Sequence, residues 1–157
     1  METPKVFEKR SRIRAPVAAL FDFHQDPANL HRINPPGVRV IRLSLPPEWK
    51  AGAQLGVSVS LLGLFRQDWE VCLEEVSPPV RLVDVALQGP YRAWRRIHQF
   101  EEIEPGLSWL IDRVEYLPPG GRWVRWLDPL LFRPQLAVLF RSEEHTSELQ
   151  SRVDISY

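Results

Sequence analysis

The feature that most restricts this chain is a run of six strand-like segments joined by short connections: Val38 to Leu45, Gln54 to Leu62, Gln67 to Val76, Arg81 to Leu87, Tyr91 to Ile103 and Leu107 to Leu117. Each is rich in branched and aromatic residues and is bounded by Gly, Pro or a charged turn. Parallel neighbours would need crossovers of about a dozen residues or more, and the connections are too short for that. Consecutive segments must therefore pair as antiparallel hairpins in one strongly bent sheet. The 15 prolines fall largely between these segments, with doublets at Pro35-Pro36, Pro46-Pro47, Pro78-Pro79 and Pro118-Pro119. A residue without an N–H cannot donate to a sheet ladder, so they act as punctuation.

Upstream, Lys5 to Arg14 carries an imperfect period-two pattern and reads as a first strand, ended by Ala15-Pro16. Pro16 suits the first turn of a helix, and Val17, Leu20, Phe21 and His24 recur at helical spacing until Asp26-Pro27 breaks the segment. A second short helix is expected from Ala28 to Ile33. Leu127, Leu130, Leu131, Val138 and Leu139 place a last helix over Trp126 to Phe140, kinked or delayed by Pro129 and Pro134. The expected class is α+β: a curved antiparallel sheet of about seven strands, two short helices after the first strand, and a C-terminal helix packed across the sheet.

At 157 residues, 44% hydrophobic and 25% charged, the chain has the content of one globular domain. Basic and acidic residues balance at 20 each, so no overall field favours nucleic acid, and none is expected as a partner. No apolar run reaches membrane-spanning length, and the N-terminus lacks an apolar signal core, so neither an integral membrane segment nor secretion is expected. A single cysteine, Cys72, cannot form an internal disulfide, which fits a reduced, cytoplasmic setting. Asp68, Glu70 and Glu74 share its parity and disfavour a thiolate nucleophile. His24 and His31 flank Asp26-Pro27, but no further ligands converge with them; they read as helix-face or capping residues, and no metal is expected. No Gly-rich phosphate loop, Ser-centred elbow or paired-carboxylate motif appears, and no cofactor is expected.

From Arg141 onward the text RSEEHTSELQSRVDISY loses the Trp- and Leu-rich character of the preceding residues and resembles the in-frame translation of a widely used sequencing adapter. Residues 141–157, including His145, are therefore expected to be a non-native tail, outside fold and function. The domain is expected to span residues 4–140, with its last helix truncated.

Strand parity supplies the candidate site, because alternate residues share a face. In the Tyr91 segment one face carries Trp94, Arg96, His98 and Phe100; in the Leu107 segment one carries Leu110, Asp112, Val114 and Tyr116. Both mix large aromatics with ionisable groups. If they point inward, Arg96, His98, Asp112 and Tyr116 become polar groups in an apolar interior, and a buried Asp112 needs Arg96 or His98 as its partner. If they point outward, the same pairs are ordinary cross-strand contacts. Gly89-Pro90-Tyr91 reads as a turn or bulge, Gly89 permitting positive φ, with Tyr91 at the mouth of any cavity.

The residues Ile13-Arg14-Ala15-Pro16, Leu20-Phe21-Asp22-Phe23-His24, Asp26-Pro27-Ala28-Asn29-Leu30, Ile33-Asn34-Pro35-Pro36, Asp84, Gly89-Pro90-Tyr91, Trp94, His98, Phe100-Glu101 and Asp112-Arg113-Val114-Glu115-Tyr116 together resemble the START-like superfamily, also called SRPBCC, in its bacterial cyclase/dehydrase-like branch. The resemblance implies a helix-grip fold with a deep hydrophobic cavity between the sheet and a C-terminal helix. On that basis the expected ligand is a hydrophobic small molecule: a lipid, a quinone or a polyketide-like ring system. Trp94, Phe100 and Tyr116 would form the wall, Tyr91 would stand at the mouth, and Arg96, His98 and Asp112 would orient the ligand. An alternative is an aromatase/cyclase- or dehydratase-like enzyme with His98 and Asp112 as acid and base. Another is an accessory module beside a reductase-like protein partner.

Overall fold

The computed structural model describes residues 2–26, 29 and 37–120. Their elements run β1 (Lys5–Ile13), α1 (Val17–Gln25), β2 (Val38–Ser44), β3 (Gln54–Leu61), β4 (Phe65–Ser77), β5 (Arg81–Gln88), β6 (Ala93–Glu104) and β7 (Leu107–Leu117). The seven strands form one antiparallel sheet in the order β1-β7-β6-β5-β4-β3-β2. The six downstream strands follow one another as hairpins, and β1 closes the row against β7. This is the sheet of a helix-grip-like fold. One helix, α1, stands among the described residues; the helices expected over 28–33 and 126–140, His31 and the tail at 141–157 lie essentially outside them.

Local chemistry explains the turns. Pro105-Gly106 joins β6 to β7, and the glycine takes a φ of +78°, a left-handed backbone that a side chain disfavours. Bulges interrupt the ladder at Val40/Arg42, Glu70/Val71, Leu73/Glu75 and Glu102/Glu104. Two of these fall between β4 and β5, and each adds local bend to the strand that carries it. β6 begins at Ala93 rather than at Tyr91, because Gly89 to Arg92 form a bend whose Arg92 N–H donates to Leu117 O at 3.0 Å. Gly89 itself is not among the positive-φ residues. A Cβ there would come within 2.9 Å of Trp69 Cε3, so glycine is needed for close approach and not, as expected from sequence, for its φ.

α1 starts at Pro16, whose carbonyl accepts from Leu20 N–H at 3.1 Å, and it has no side-chain cap. It ends where Asp26 N–H donates to Asp22 O. Its Leu20 and Phe21 pack with Ile13, Ala15, Leu73, Leu82, Phe100 and Leu110 in the main apolar cluster. Packing of this kind holds a nine-residue helix that would be marginal alone. The turn into α1 is pinned from the far side by buried Ser108, whose hydroxyl donates to Ala15 O at 2.8 Å.

Candidate functional site

The face covered by α1, here the inner face, is organised in rungs by the strand register. One rung crosses Lys9 of β1, Asp112 of β7, His98 of β6 and Leu82 of β5. The next crosses Phe7, Val114, Arg96 and Asp84, and the one beyond crosses Lys5, Tyr116 and Trp94. Every second residue of β7 from Ser108 to Tyr116 is buried, as are Trp94, His98 and Phe100 of β6. The mixed aromatic and ionisable face thus points inward, and the solvent-facing alternative does not hold.

Polar groups form a belt across this face. His98 and Asp112, each 2% exposed, are hydrogen-bonded through Nδ1 and Oδ1. Arg96 Nε donates to Asp84 Oδ2 at 3.0 Å, and Asp84 is 4% exposed. Removing a carboxylate from water costs several kcal/mol unless a partner compensates, and each of these two has one a single strand away. Of the two partners the sequence offered for Asp112, the structure pairs it with His98, while Arg96 binds Asp84 one rung along.

His24 descends on this belt from α1. Its ring centroid is 5.2 Å from that of His98 and 5.1 Å from that of Phe100. Nδ1 lies 2.8 Å from Leu20 O, to which it donates, leaving Nε2 as the acceptor nitrogen. Nε2 is shielded from solvent and has no hydrogen-bond partner among the described residues. Burial, reinforced by the neighbouring His98, pushes the His24 pKa down to about 4, so the ring is neutral near pH 7.

Beyond the belt lies an aromatic cluster. Tyr91 and Trp94 have centroids 4.8 Å apart, Trp69 meets Trp94 edge-on at 5.4 Å, and Tyr91 meets Tyr116 edge-on at 5.8 Å. Phe7, Ala86 and Val114 fill in around them. Tyr91, Trp94 and Tyr116 thus sit together, whereas Phe100 lies on the other side of the belt against Phe21, at 5.4 Å. All seven sequence-derived residues face inward, arranged as apolar, polar and aromatic zones.

Three participants were missed from sequence: His24, Asp84 and Trp69. His24 shares helical spacing with Leu20 and Phe21, a signal that it faces the sheet. Asp84 and Trp69 could be placed only by cross-strand register. An open groove of about 430 Å³ is lined by Arg42, Leu55, Ser58, Arg66, Trp69 and Glu70 among others. It does not touch the His98 belt. Among the described residues no three His, Cys, Asp or Glu side chains converge as metal ligands.

No protein-family model matches the chain, and no curated protein matches it. Solved structures do. CV1439 from Chromobacterium violaceum superposes with a TM-score of 0.75 at 11% identity, over 94% of this chain and 98% of that one. TTHA0849 from Thermus thermophilus gives 0.72 at 14%, over 94% and 99%. Norcoclaurine synthase from Thalictrum flavum, in complex with a transition-state analogue, gives 0.69 at 15%, over 94% and 96%. Identities this low establish likeness of fold and leave function open. The chain therefore shares the fold of these structures, a helix-grip-like curved antiparallel sheet.

Proposed function

We propose that this protein binds a hydrophobic small molecule against the inner face of its sheet, with the Trp69, Tyr91, Trp94 and Tyr116 cluster as the apolar wall and Arg96, His98 and Asp112 as orienting groups. The carrying observation is the zoning of that face: ionisable pairs bordered on both sides by apolar and aromatic side chains. A site of that composition suits a ligand with a large apolar body and a few polar atoms, such as a lipid, a quinone or a polyketide-like ring. Binding by proteins of this fold adds support: norcoclaurine synthase has been captured with dopamine and hydroxybenzaldehyde. Native mass spectrometry of the purified chain before and after organic extraction tests the reading. An extractable apolar adduct that rebinds on addition is expected. A chain that carries nothing and takes up no member of a panel of fatty acids, prenylated quinones and polycyclic phenols contradicts it.

The His98–Asp112 hydrogen bond favours a second reading, an aromatase/cyclase- or dehydratase-like enzyme. A histidine oriented by a buried carboxylate can pass a proton to or from a bound ring. His98→Gln separates the two readings: a binder keeps affinity within a few-fold, whereas an enzyme loses turnover of a bound substrate by roughly 10²-fold or more.

A further inference from the structure

We infer that the tip of the β3–β4 hairpin docks this protein onto an anionic lipid surface. Leu62, Leu64 and Phe65 at that tip are 74%, 80% and 65% exposed, and Ile41 of the edge strand β2 is 53% exposed. Scattered apolar side chains are normal on protein surfaces, but a cluster of this size marks a surface that meets something apolar. The turn does not itself call for leucine. Leu62 takes a φ of +53°, a backbone for which glycine, asparagine or aspartate is the usual choice. The tip is nevertheless held in place: Leu62 N–H donates to Gly37 O at 2.7 Å, and Leu64 N–H to Leu61 O at 3.0 Å.

Charge identifies the apolar partner. Directly behind the tip, the register sets Arg39, Ser60 and Arg66 side by side on β2, β3 and β4. Arg42, Ser58 and Asp68 occupy the following rung. These two rungs hold three arginines and one carboxylate. At about 3.3 Å per residue, Ser60 stands roughly 7 to 10 Å behind the turn. An interfacial apolar segment enters the headgroup–acyl boundary by about 5 to 10 Å, which brings the arginines level with lipid phosphates. The chain as a whole has no net charge, so the attraction is local. Among the described residues no helix is long and apolar enough to cross a membrane, so the association is peripheral.

Co-sedimentation of the full chain with phosphatidylcholine vesicles, with or without about one-third phosphatidylserine, tests this. The protein is expected to pellet with the anionic vesicles and to be released several-fold by added salt. Leu62→Ser/Leu64→Ser/Phe65→Ser is expected to weaken that partition about tenfold or more. Arg39→Gln/Arg42→Gln is expected to abolish the preference for anionic over neutral vesicles. Circular dichroism checks that each variant is folded, and a Leu64→Trp chain should show a blue-shifted emission on anionic vesicles as a reading independent of the serine variants. The proposal is overturned if the wild-type chain stays in the supernatant at low salt, or if the triple variant pellets as well as the wild type. Tip-dependent self-association without vesicle binding would overturn it too, by making a second copy the occupant. None of these outcomes depends on whether the inner face holds a ligand.

Discussion

The fold opposes the protonation of His24. Its Nδ1–H is committed to Leu20 O and its Nε2 is shielded, so a second proton would sit desolvated beside His98. The unfolded chain takes up that proton near the ordinary value of 6.5, whereas the folded chain does so only near 4. Between those values the unfolded state binds more protons, so stability falls as pH drops through the window and levels off below it. A shift of this size corresponds to at most ~3 kcal/mol; because the residue as a whole is only half-buried, roughly 2 kcal/mol is expected. Chemical denaturation of the wild type and His24→Phe across that window checks it: the variant should lack this acid-side loss, and equally steep curves would assign the loss to other groups. For the His98–Asp112 pair, Asp112→Leu should cost about 3 to 5 kcal/mol, because it removes the carboxylate hydrogen-bonded to a buried imidazole. The double variant with His98→Leu should cost clearly less than the two single changes added together. Additive losses would show that the hydrogen bond contributes little. Parity in two strands was enough to find His98 and Asp112 from sequence. It could not say that Arg96 belongs to Asp84, because that pairing depends on the β5–β6 register, and no single-strand pattern encodes register.

At the scale of elements, the hairpins were legible because Gly and Pro mark where a ladder must stop. Leu107 to Leu117 was read to the residue, and the other strands to within about two. The ends that moved did so for local reasons: β4 starts earlier because the Leu62–Gly63 turn is tight, and β6 starts later because Gly89 to Arg92 bend across Trp69. Gly89→Ala is therefore expected to push the Trp69 ring aside and to cost about 1 to 3 kcal/mol, with a changed near-UV dichroism from the aromatic cluster. An unchanged spectrum and stability would mean that the bend has room to spare. Ser108→Ala should leave Ala15 O unsatisfied in the interior and cost about 1 to 2 kcal/mol by denaturant titration, loosening the turn that sets α1 over the sheet.

For the molecule as a whole, closing β1 against β7 puts the sequence-distant Lys5–Ile13 segment alongside the candidate site and lets α1 lie over it. The zoned inner face follows from that topology. Three hairpin-related strands, β5, β6 and β7, supply the belt, and the helix after β1 contributes His24 from above. The class of fold was legible because short connections exclude almost every alternative; the contents of the site were only partly legible, since they come from five separate elements. The central claim is that the inner face binds a hydrophobic small molecule. The most direct measurement is a titration of tryptophan emission with a polycyclic phenol, a prenylated quinone and a long-chain fatty acid, on the wild type and Trp94→Leu. Saturable one-to-one quenching by at least one of them, weakened about tenfold in the variant, is the expected result. Emission that never saturates with any of the three, or saturation unaffected by Trp94→Leu, would contradict it.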